Sequence, residues 1–417
     1  MLRLGRPPVQ VGLVPPEEEE AFLRLLCTGF GFDLPTARPY FYEDPYYPHN
    51  QRWGLWVGEG RSRTLVSILT AIPLQMWVGV QLIPFMGIAG VTTHPQYRRR
   101  GYARQLLTMV LNALHAQGVP GAALQAFDFG FYRPLGWEVV GTLMRVRLTP
   151  MQLPPFPHAG VRRAVEADYP AMQQLYEQHA RLAHQTSSAG RLLRDELRWR
   201  YLLWNFRHKL VYAEGGSVQG YLIYDFTEAG WVLRVREMVW HTESARRALL
   251  GWLATNEEHV RHIEFSGTPD ELAHLQLTGW RLSQNNPDDA LLRWELLPGF
   301  MWRVVHPLHL LQLLLSPCLA AGGQPFCLAL SDSQIEANTG VYTVLASKDG
   351  WQVERGVREE LPLIKMGMRT LALLTMGTFS VGELVARELL TAPPELLDTL
   401  ERLFPARSPC LRPIDYF

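Results

Sequence analysis

The sequence predicts an α+β / α/β fold of mixed, mostly antiparallel sheets with flanking helices, laid down twice in succession and followed by a third α/β region. Three observations predict it. Residues 87–118 read as a short apolar strand, a basic turn and a long amphipathic helix. A meander of strands precedes that unit, and the same outline returns in residues 161–280.

At 417 residues the chain is long enough for two to four domains, and a hydrophobic share of 47% with 13 Trp, 15 Tyr and 17 Phe can fill their cores. The charges, 40 basic and 40 acidic, cancel, which removes any general electrostatic case for a nucleic acid or an anionic membrane as partner. Cys27, Cys318, Cys327 and Cys410 are far apart, without a C-x-x-C pair or a secretory leader before them. That argues for a reducing, cytoplasmic setting rather than a disulfide framework or a zinc site. The longest apolar run, residues 308–315, is too short to cross a membrane.

Taken in order, residues 11–13 are a first strand, and Pro15-Pro16-Glu17 starts a helix, with proline and acids where a helix N-terminus favours them. Residues 30–49 read as a loop dense in rings and carboxylates (Asp33, Tyr40, Phe41, Tyr42, Glu43, Asp44, Tyr46, Tyr47), a composition suited to a cationic amine or to plain packing. Residues 53–57, 64–78 and 80–85 are strands divided by glycine turns, with 87–93 completing an antiparallel meander. After His94-Pro95 come three arginines and Gly101, and then Ala103, Leu106, Leu107, Val110, Leu111 and Leu114 mark a helix that Gly118 stops. The backbone N–H groups of residues 99–104 open that helix at the positive end of its dipole, a place for a phosphate.

The spacing Arg98-x-x-Gly101-x-Ala103 resembles the Q/R-x-x-G-x-G/A signature of the GNAT N-acetyltransferases, whose loop holds the pyrophosphate of acetyl-CoA. The resemblance implies cofactor contacts from Arg98, Arg99, Arg100, Gly101, Tyr102, Ala103 and Arg104. It implies a bulge in the preceding strand as well, with the pantetheine arm bonded by the backbone of Val91, Thr92 and Thr93. A strand at residues 121–127 leads into Phe127-Asp128, also counted with the cofactor contacts, and then into Phe131-Tyr132-Arg133-Pro134-Leu135-Gly136-Trp137. This segment looks like the F-Y-x-x-L-G-F run of the same family, which places Tyr132 near the thioester sulfur as general acid.

Residues 151–160, with three prolines and a glycine, read as a linker. Beyond it come a strand and helix, a hairpin over 210–226 through Gly215-Gly216, a strand at 232–240, a helix over about 242–255 and a strand at 263–266; residues 277–280 echo Leu135-Gly136-Trp137. Where the first copy has its phosphate turn, the second has His241-Thr242-Glu243-Ser244-Ala245-Arg246-Arg247, with no glycine and with an acid that would repel phosphate. It reads as a GNAT-like fold without a cofactor. After Pro298-Gly299 the third region has a strand and apolar helix over 304–315, strands at 326–331, 341–346 and 351–353 with a turn at residues 348–350, and helical stretches at 366–376, 381–390 and 393–405. It looks like the sterol-carrier-protein fold.

The expected domains are thus 1–150, binding acetyl-CoA, 151–297, and 298–417. Together they resemble the enhanced-intracellular-survival (Eis) family of N-acetyltransferases. That resemblance implies a hexamer, a multi-amine substrate such as an aminoglycoside, and a C-terminal carboxylate, here that of Phe417, reaching the first domain's active site as general base. Phe30, Asp33, Asp415 and Tyr416 are the candidate amine contacts. His306 with His309, and His259 with His262, have helix-ligand spacing but no third ligand, so no metal is expected. Neither a G-x-S-x-G elbow nor a cysteine motif suggests nucleophilic catalysis. A second class of function stays open at this point: a non-catalytic protein sensing CoA in the first domain and holding an apolar ligand in the third.

Overall fold

The computed structural model describes residues 8–185, 188–256, 258–275, 292–318, 323–348 and 350–417. The chain forms two compact units. One comprises the residues up to Val140, Phe300–Arg407 and Phe417; the other comprises Gly141–Gly299 and Ser408–Tyr416. The expected echo at residues 277–280 and Asp349 of the expected turn lie outside the described residues.

In the first unit, strands β1 (Val9–Leu13), β2 (Gln51–Val57), β3 (Thr64–Val78) and β4 (Gln81–Thr93) pair antiparallel in sequence order. β5 (Gly121–Leu124) joins β4 in parallel. On its other side β5 pairs antiparallel with the end of the strand Leu292–Val304. The meander differs from expectation at Met86, where the two strands read at 80–85 and 87–93 are one unbroken β4. Gly87 lacks a side chain for a tertiary reason: a Cβ there would sit 2.6 Å from the ring of Phe417.

Helix α1 (Glu19–Phe30) buries Phe22, Leu23, Leu25 and Cys27. The region read as a loop is instead helix α2 (Leu34–Tyr42) as far as Tyr42. Its prolines suggest a loop, yet Pro35 sits in the first turn, where a missing N–H costs nothing, and Asp33 caps the helix by accepting from Thr36 N at 3.0 Å. Helix α3 (Tyr102–Ala116) packs Leu106, Leu107, Val110, Leu111 and Leu114 into the core of the sheet, on the face the periodicity predicts.

The C-terminal part of this unit carries the helix Pro307–Leu315 and a four-stranded sheet. The sheet's order is Gly350–Arg355, Gly340–Ser347, Phe326–Ser331, Leu363–Gly367, with the last pair parallel. The strand Leu363–Gly367 was not expected, because its few residues run directly into the apolar helix Met368–Met376. His306 caps the helix Pro307–Leu315 by accepting from His309 N at 3.2 Å, and His309 Nδ1 lies 2.6 Å from Gly118 O. Pro298 and Gly299, read as a boundary, lie inside the strand Leu292–Val304.

A buried ion pair ties this part to the first sheet. Arg303 donates to both oxygens of Asp332 at 2.8 and 2.7 Å and to Leu135 O at 2.9 Å, with both side chains essentially inaccessible. Burial works to raise the Asp332 carboxyl; the Arg303 charge and its hydrogen bonds outweigh it and hold it below the ordinary value. Asp332→Ala should therefore cost about 3–5 kcal/mol at pH 7, read by urea unfolding, since it strands a buried guanidinium. Because the folded-state pKa is depressed, this stabilisation is complete above the unfolded carboxyl's pKa of about 4 and is lost as pH falls below it. An Asp332→Ala protein with the wild-type urea midpoint at pH 7 would contradict this account.

The second unit repeats the outline. After β6 (Glu138–Leu148) and β7 (Val161–Arg163) come helix α5 (Tyr169–Gln185), counting the single turn Phe129–Tyr132 as α4, then β8 (Ser188–Leu192) and helix α6 (Glu196–Asn205). β9 (His208–Glu214), β10 (Ser217–Thr227) and β11 (Val232–Trp240) follow as an antiparallel meander. Helix α7 (Glu243–Ala254) leads to β12 (His262–Gly267), which is parallel to β11. At the start of α7, Glu243 turns onto Arg246 and Arg247, at 2.6 and 2.9 Å, and Thr242 caps Ala245 N. Among the described residues no helix is long and apolar enough to cross a membrane.

Candidate active site

The site forms where β4 and β5 part. Their pairing runs from Phe85↔Gly121 to Gly87↔Ala123 and ends, while β4 continues to Thr93. Within that free stretch β4 carries a bulge. The register passes from Thr70↔Ala89 to Ile68↔Thr92, so Gly90 and Val91 face the single residue Leu69. Gly90 adopts φ +62°, left-handed backbone that glycine takes without strain.

Two clefts meet at this bulge. The first, about 780 Å³, is lined by Val91, Thr92, Thr93, Arg98, Arg99, Gly101, Tyr102, Ala103, Arg104 and Phe127, all expected, and by Gly29, Phe30, Tyr97 and Phe131. Arg100 and Asp128 are not among the lining residues. Arg100 lies over the Tyr97 ring at 5.3 Å, and Asp128 caps the turn α4 by accepting from Gly130 N at 2.8 Å. Arg98 folds back, its Nε donating to Thr93 O at 3.2 Å.

These residues fit a pyrophosphate. Gly101 is the N-cap of α3 at φ +86°, and a Cβ placed there meets nothing within 4 Å, so the space before the first free amides of the helix is open. Gly29 was not expected here; α1 crosses so close to β4 that a Cβ would come within 2.4 Å of the Thr92 side chain.

Tyr132 itself lines neither cleft; it is 2% exposed, edge-on to Phe127 and Phe131, both of which line the basic cleft, and to Trp137 in the core. Burial, helped by Asp128, pushes its phenol well above 10. It is therefore protonated at any working pH.

The second cleft, about 570 Å³, is lined by Phe30, Asp33, Tyr40, Phe41, Asp44, Gly90 and Phe417 among others, including Arg52. Asp33 and Phe30 thus stand where the sequence suggested an amine. Arg52 was missed: its guanidinium lies 3.7 Å from the Tyr47 ring centre and 5.0 Å from that of Phe41, so part of the aromatic cluster already has a cation. The Phe417 ring fills the notch left by Gly87 and approaches Phe85 at 6.2 Å.

The remaining two candidates are elsewhere. Asp415 belongs to the second unit, where Arg194 donates to its two oxygens at 2.9 and 2.8 Å and leaves it 1% exposed. Both its oxygens are thus engaged by Arg194. Tyr416, in the same unit, lines neither cleft, and burial pushes its phenol up to about 12. Nothing in the local sequence separates the paired Asp415 from a ligand-binding carboxylate, because its partner lies over two hundred residues away.

Family models match the chain as an acetyltransferase (GNAT) domain at residues 11–140, a second such domain at 190–304 and a sterol carrier protein domain at 314–412. No curated protein sequence matches it. Among solved structures, a GCN5-related N-acetyltransferase from Anabaena variabilis ATCC 29413 is 20% identical, with a TM-score of 0.80 over 98% of this chain and 100% of its own. Another from Kribbella flavida is 21% identical, with a TM-score of 0.80 over 99% of each chain. Eis1 from Mycobacterium abscessus is 19% identical, with a TM-score of 0.68 over 96% of this chain and 98% of its own. At such identities these structures share the fold. The two matched GNAT domains, with the parted strands, the bulge and the open phosphate turn of the first, carry the conclusion that this chain is a tandem GNAT-domain acetyltransferase followed by a sterol carrier protein domain, with acetyl-CoA as its implied co-substrate.

Proposed function

We propose that the enzyme transfers acetyl directly to a primary amine of a cationic, multi-amine substrate, aminoglycoside-like or other, within one ternary complex. The bulge carries this reading. Gly90 lines the aromatic cleft, Val91 lines the basic one and Phe30 lines both, so an amine and a thioester held in the two clefts would meet there.

Acetyl-CoA supplies the acetyl group as an activated thioester. The amides opening α3, with Arg99 and Arg104 beside them, hold its pyrophosphate, and the bulged backbone at Gly90 and Val91 offers N–H groups to the carbonyl oxygen. Asp33 and Asp44 attract the cationic substrate while Tyr40 and Phe41 cover it. The Phe417 carboxylate takes the amine's proton. Reference pKa values put that transfer roughly 7 units uphill, about 9 kcal/mol, so desolvation of both groups or a relaying water must lessen it.

Tyr132 returns a proton to the departing thiolate. Donation from an ordinary phenol costs about 2 kcal/mol, and the raised phenol here adds to that, offset because a thiolate formed in the same dry site is raised too. Tyr132→Phe keeps the ring and should lower kcat about 10²-fold with acetyl-CoA KM unchanged. Turnover equal to wild type across the pH range would make Tyr132 a packing residue.

Thiol release from acetyl-CoA against aminoglycosides, polyamines and aryl monoamines tests the reading as a whole. Turnover should be fastest with multi-amines. An enzyme that binds acetyl-CoA yet acetylates none of them, or prefers monoamines, would refute the substrate class. We also propose a hexamer, whose contacts would hold the C-terminal region rigid; a fully active monomer by light scattering would remove that idea.

A further inference from the structure

The second unit has kept part of the catalytic copy's architecture for which it has no evident use. Its parallel strands β11 and β12 pair from Val232↔His262 to Arg234↔Glu264 and then part, while β11 runs on to Trp240. β11 also carries a bulge: the register passes from Ile223↔Glu237 to Tyr224↔Val235, leaving Arg236 as the extra residue. A cavity of about 330 Å³ opens just past the last pair, lined by Val235, Glu237 and Phe265. β4 and β5 make the same kind of notch in the first unit. Here, however, the helix that follows begins with the ion-paired Glu243, which disfavours a phosphate at that end.

The wall of this cavity carries both signs, Arg191, Arg236 and Arg412 with Glu237, Asp270 and Glu271, and a buried ionic cluster backs it. The buried guanidiniums of Arg191, Arg194, Arg198 and Arg412 face three carboxylates, those of Glu237, Glu271 and Asp415. Arg194 takes Glu237 at 2.8 Å and Asp415 at 2.8 Å, and Arg412 reaches Glu271 at 3.0 Å and Glu237 at 3.3 Å. Arg236 is matched by Asp225 at 2.7 Å, and Asp270 at the edge is exposed. Arg194, Arg198 and Asp415 stand outside the wall, and within it Arg191 pairs with Glu271 and Arg412 with Glu271 and Glu237. Nη1 of Arg191, Nε of Arg412 and Nε of Arg198 have no hydrogen-bond partner, and a guanidinium cannot relieve burial by losing its proton.

His179, also in the wall, does not add to the positive charge. Burial, then Arg191 and Arg412, pushes its imidazole down to about 3, so it stands there as a neutral hydrogen-bonding group. The remaining wall is apolar, with Phe265, Leu272 and Leu275.

We infer that this cavity binds a small organic monocarboxylate, its carboxylate beside Arg191 and Arg412 and its apolar body against Phe265, Leu272 and Leu275. The unpartnered Arg191 Nη1 and Arg412 Nε offer two buried N–H donors to the two oxygens of one carboxylate. A phosphate dianion would be repelled more strongly by Glu237 and Glu271 and has no apolar body for the rest of the wall. The cavity's size is that of a small-molecule site.

Calorimetry and thermal melting of the full chain with phenylacetate, benzoate and hexanoate test this, with phenylacetamide and inorganic phosphate as comparisons. At least one carboxylate should bind once per chain and raise the melting temperature in a concentration-dependent way. Phenylacetamide and phosphate should bind at least roughly tenfold more weakly, lacking either the charge or the body. Arg191→Gln, which removes the charge, and Ser266→Phe, which fills the cavity and leaves the charges in place, should each weaken binding by at least roughly tenfold. If Arg191→Gln does not fold, Ser266→Phe decides. No binding by any of the three carboxylates, an amide or phosphate that binds as tightly, or wild-type affinity in Ser266→Phe would overturn the assignment.

Discussion

Extending the chain by a few residues past Phe417 is expected to lower kcat for amine acetylation by about 10³-fold, within the range of a lost general base. The extension leaves the ring to fill the Gly87 notch but turns the terminal carboxylate into a neutral amide. Deleting Phe417 should cost as much, since it draws the charge back by about 3.5 Å of chain and empties the notch. Phe417→Ala keeps a carboxylate at the same backbone position and loses only the ring's anchorage, so it should retain more activity than either. Gly87→Val should resemble the alanine change: its side chain would collide with the Phe417 ring, displacing the terminus without altering its charge. This order of activities, measured beside melting temperatures near wild type, is the test. An extended enzyme as fast as the native one would exclude the carboxylate as base. A water held by backbone carbonyls would then lead, because Asp415 is already committed to Arg194.

Gly101→Glu is expected to raise the acetyl-CoA KM about 10²-fold or more. The substitution sets a carboxylate among the amides that face the phosphates and forces an L side chain into φ +86°. Gly101→Ala separates the two effects. Its Cβ meets nothing within 4 Å, so only backbone strain, about 1–3 kcal/mol, opposes it. Ser244→Glu, at the matching turn of the second copy, should leave acetyl-CoA KM unchanged, because Glu243 already occupies that helix start with Arg246 and Arg247. Calorimetry should find one acetyl-CoA site per chain. A second site of similar affinity would sink the assignment of roles to the two copies, as would a Gly101→Glu enzyme with native KM.

What the sequence determined by itself is local in origin. The strand, basic turn and helix at residues 88–116 were legible because apolar spacing reports burial and Gly101 reports a left-handed turn, and both signals lie within a few residues of the structure they specify. The same holds for the meander before it and for its recurrence in β9, β10 and β11. The basic cleft followed from one short motif, since its lining is largely consecutive. Misreadings arose where a local signal had a distant cause. The strands read at 80–85 and 87–93 are one, with Gly87 in it making room for a ring 330 positions on, and Pro298-Gly299 suggested a boundary but continues a strand. Prolines hid α2, which takes Pro35 in its first turn and Pro39 in its interior.

Only the tertiary structure decided which carboxylates are committed and which face a cleft. Asp415 meets Arg194, and Asp332 meets Arg303, through pairings with no periodicity and no fixed spacing. Asp33 and Asp44 are chemically the same group and also accept from backbone N–H groups, of Thr36 and Tyr46, yet they line the aromatic cleft with Phe417. A carboxylate's role is set by the charge and water around it, and in a folded chain those neighbours come from segments the sequence holds far apart.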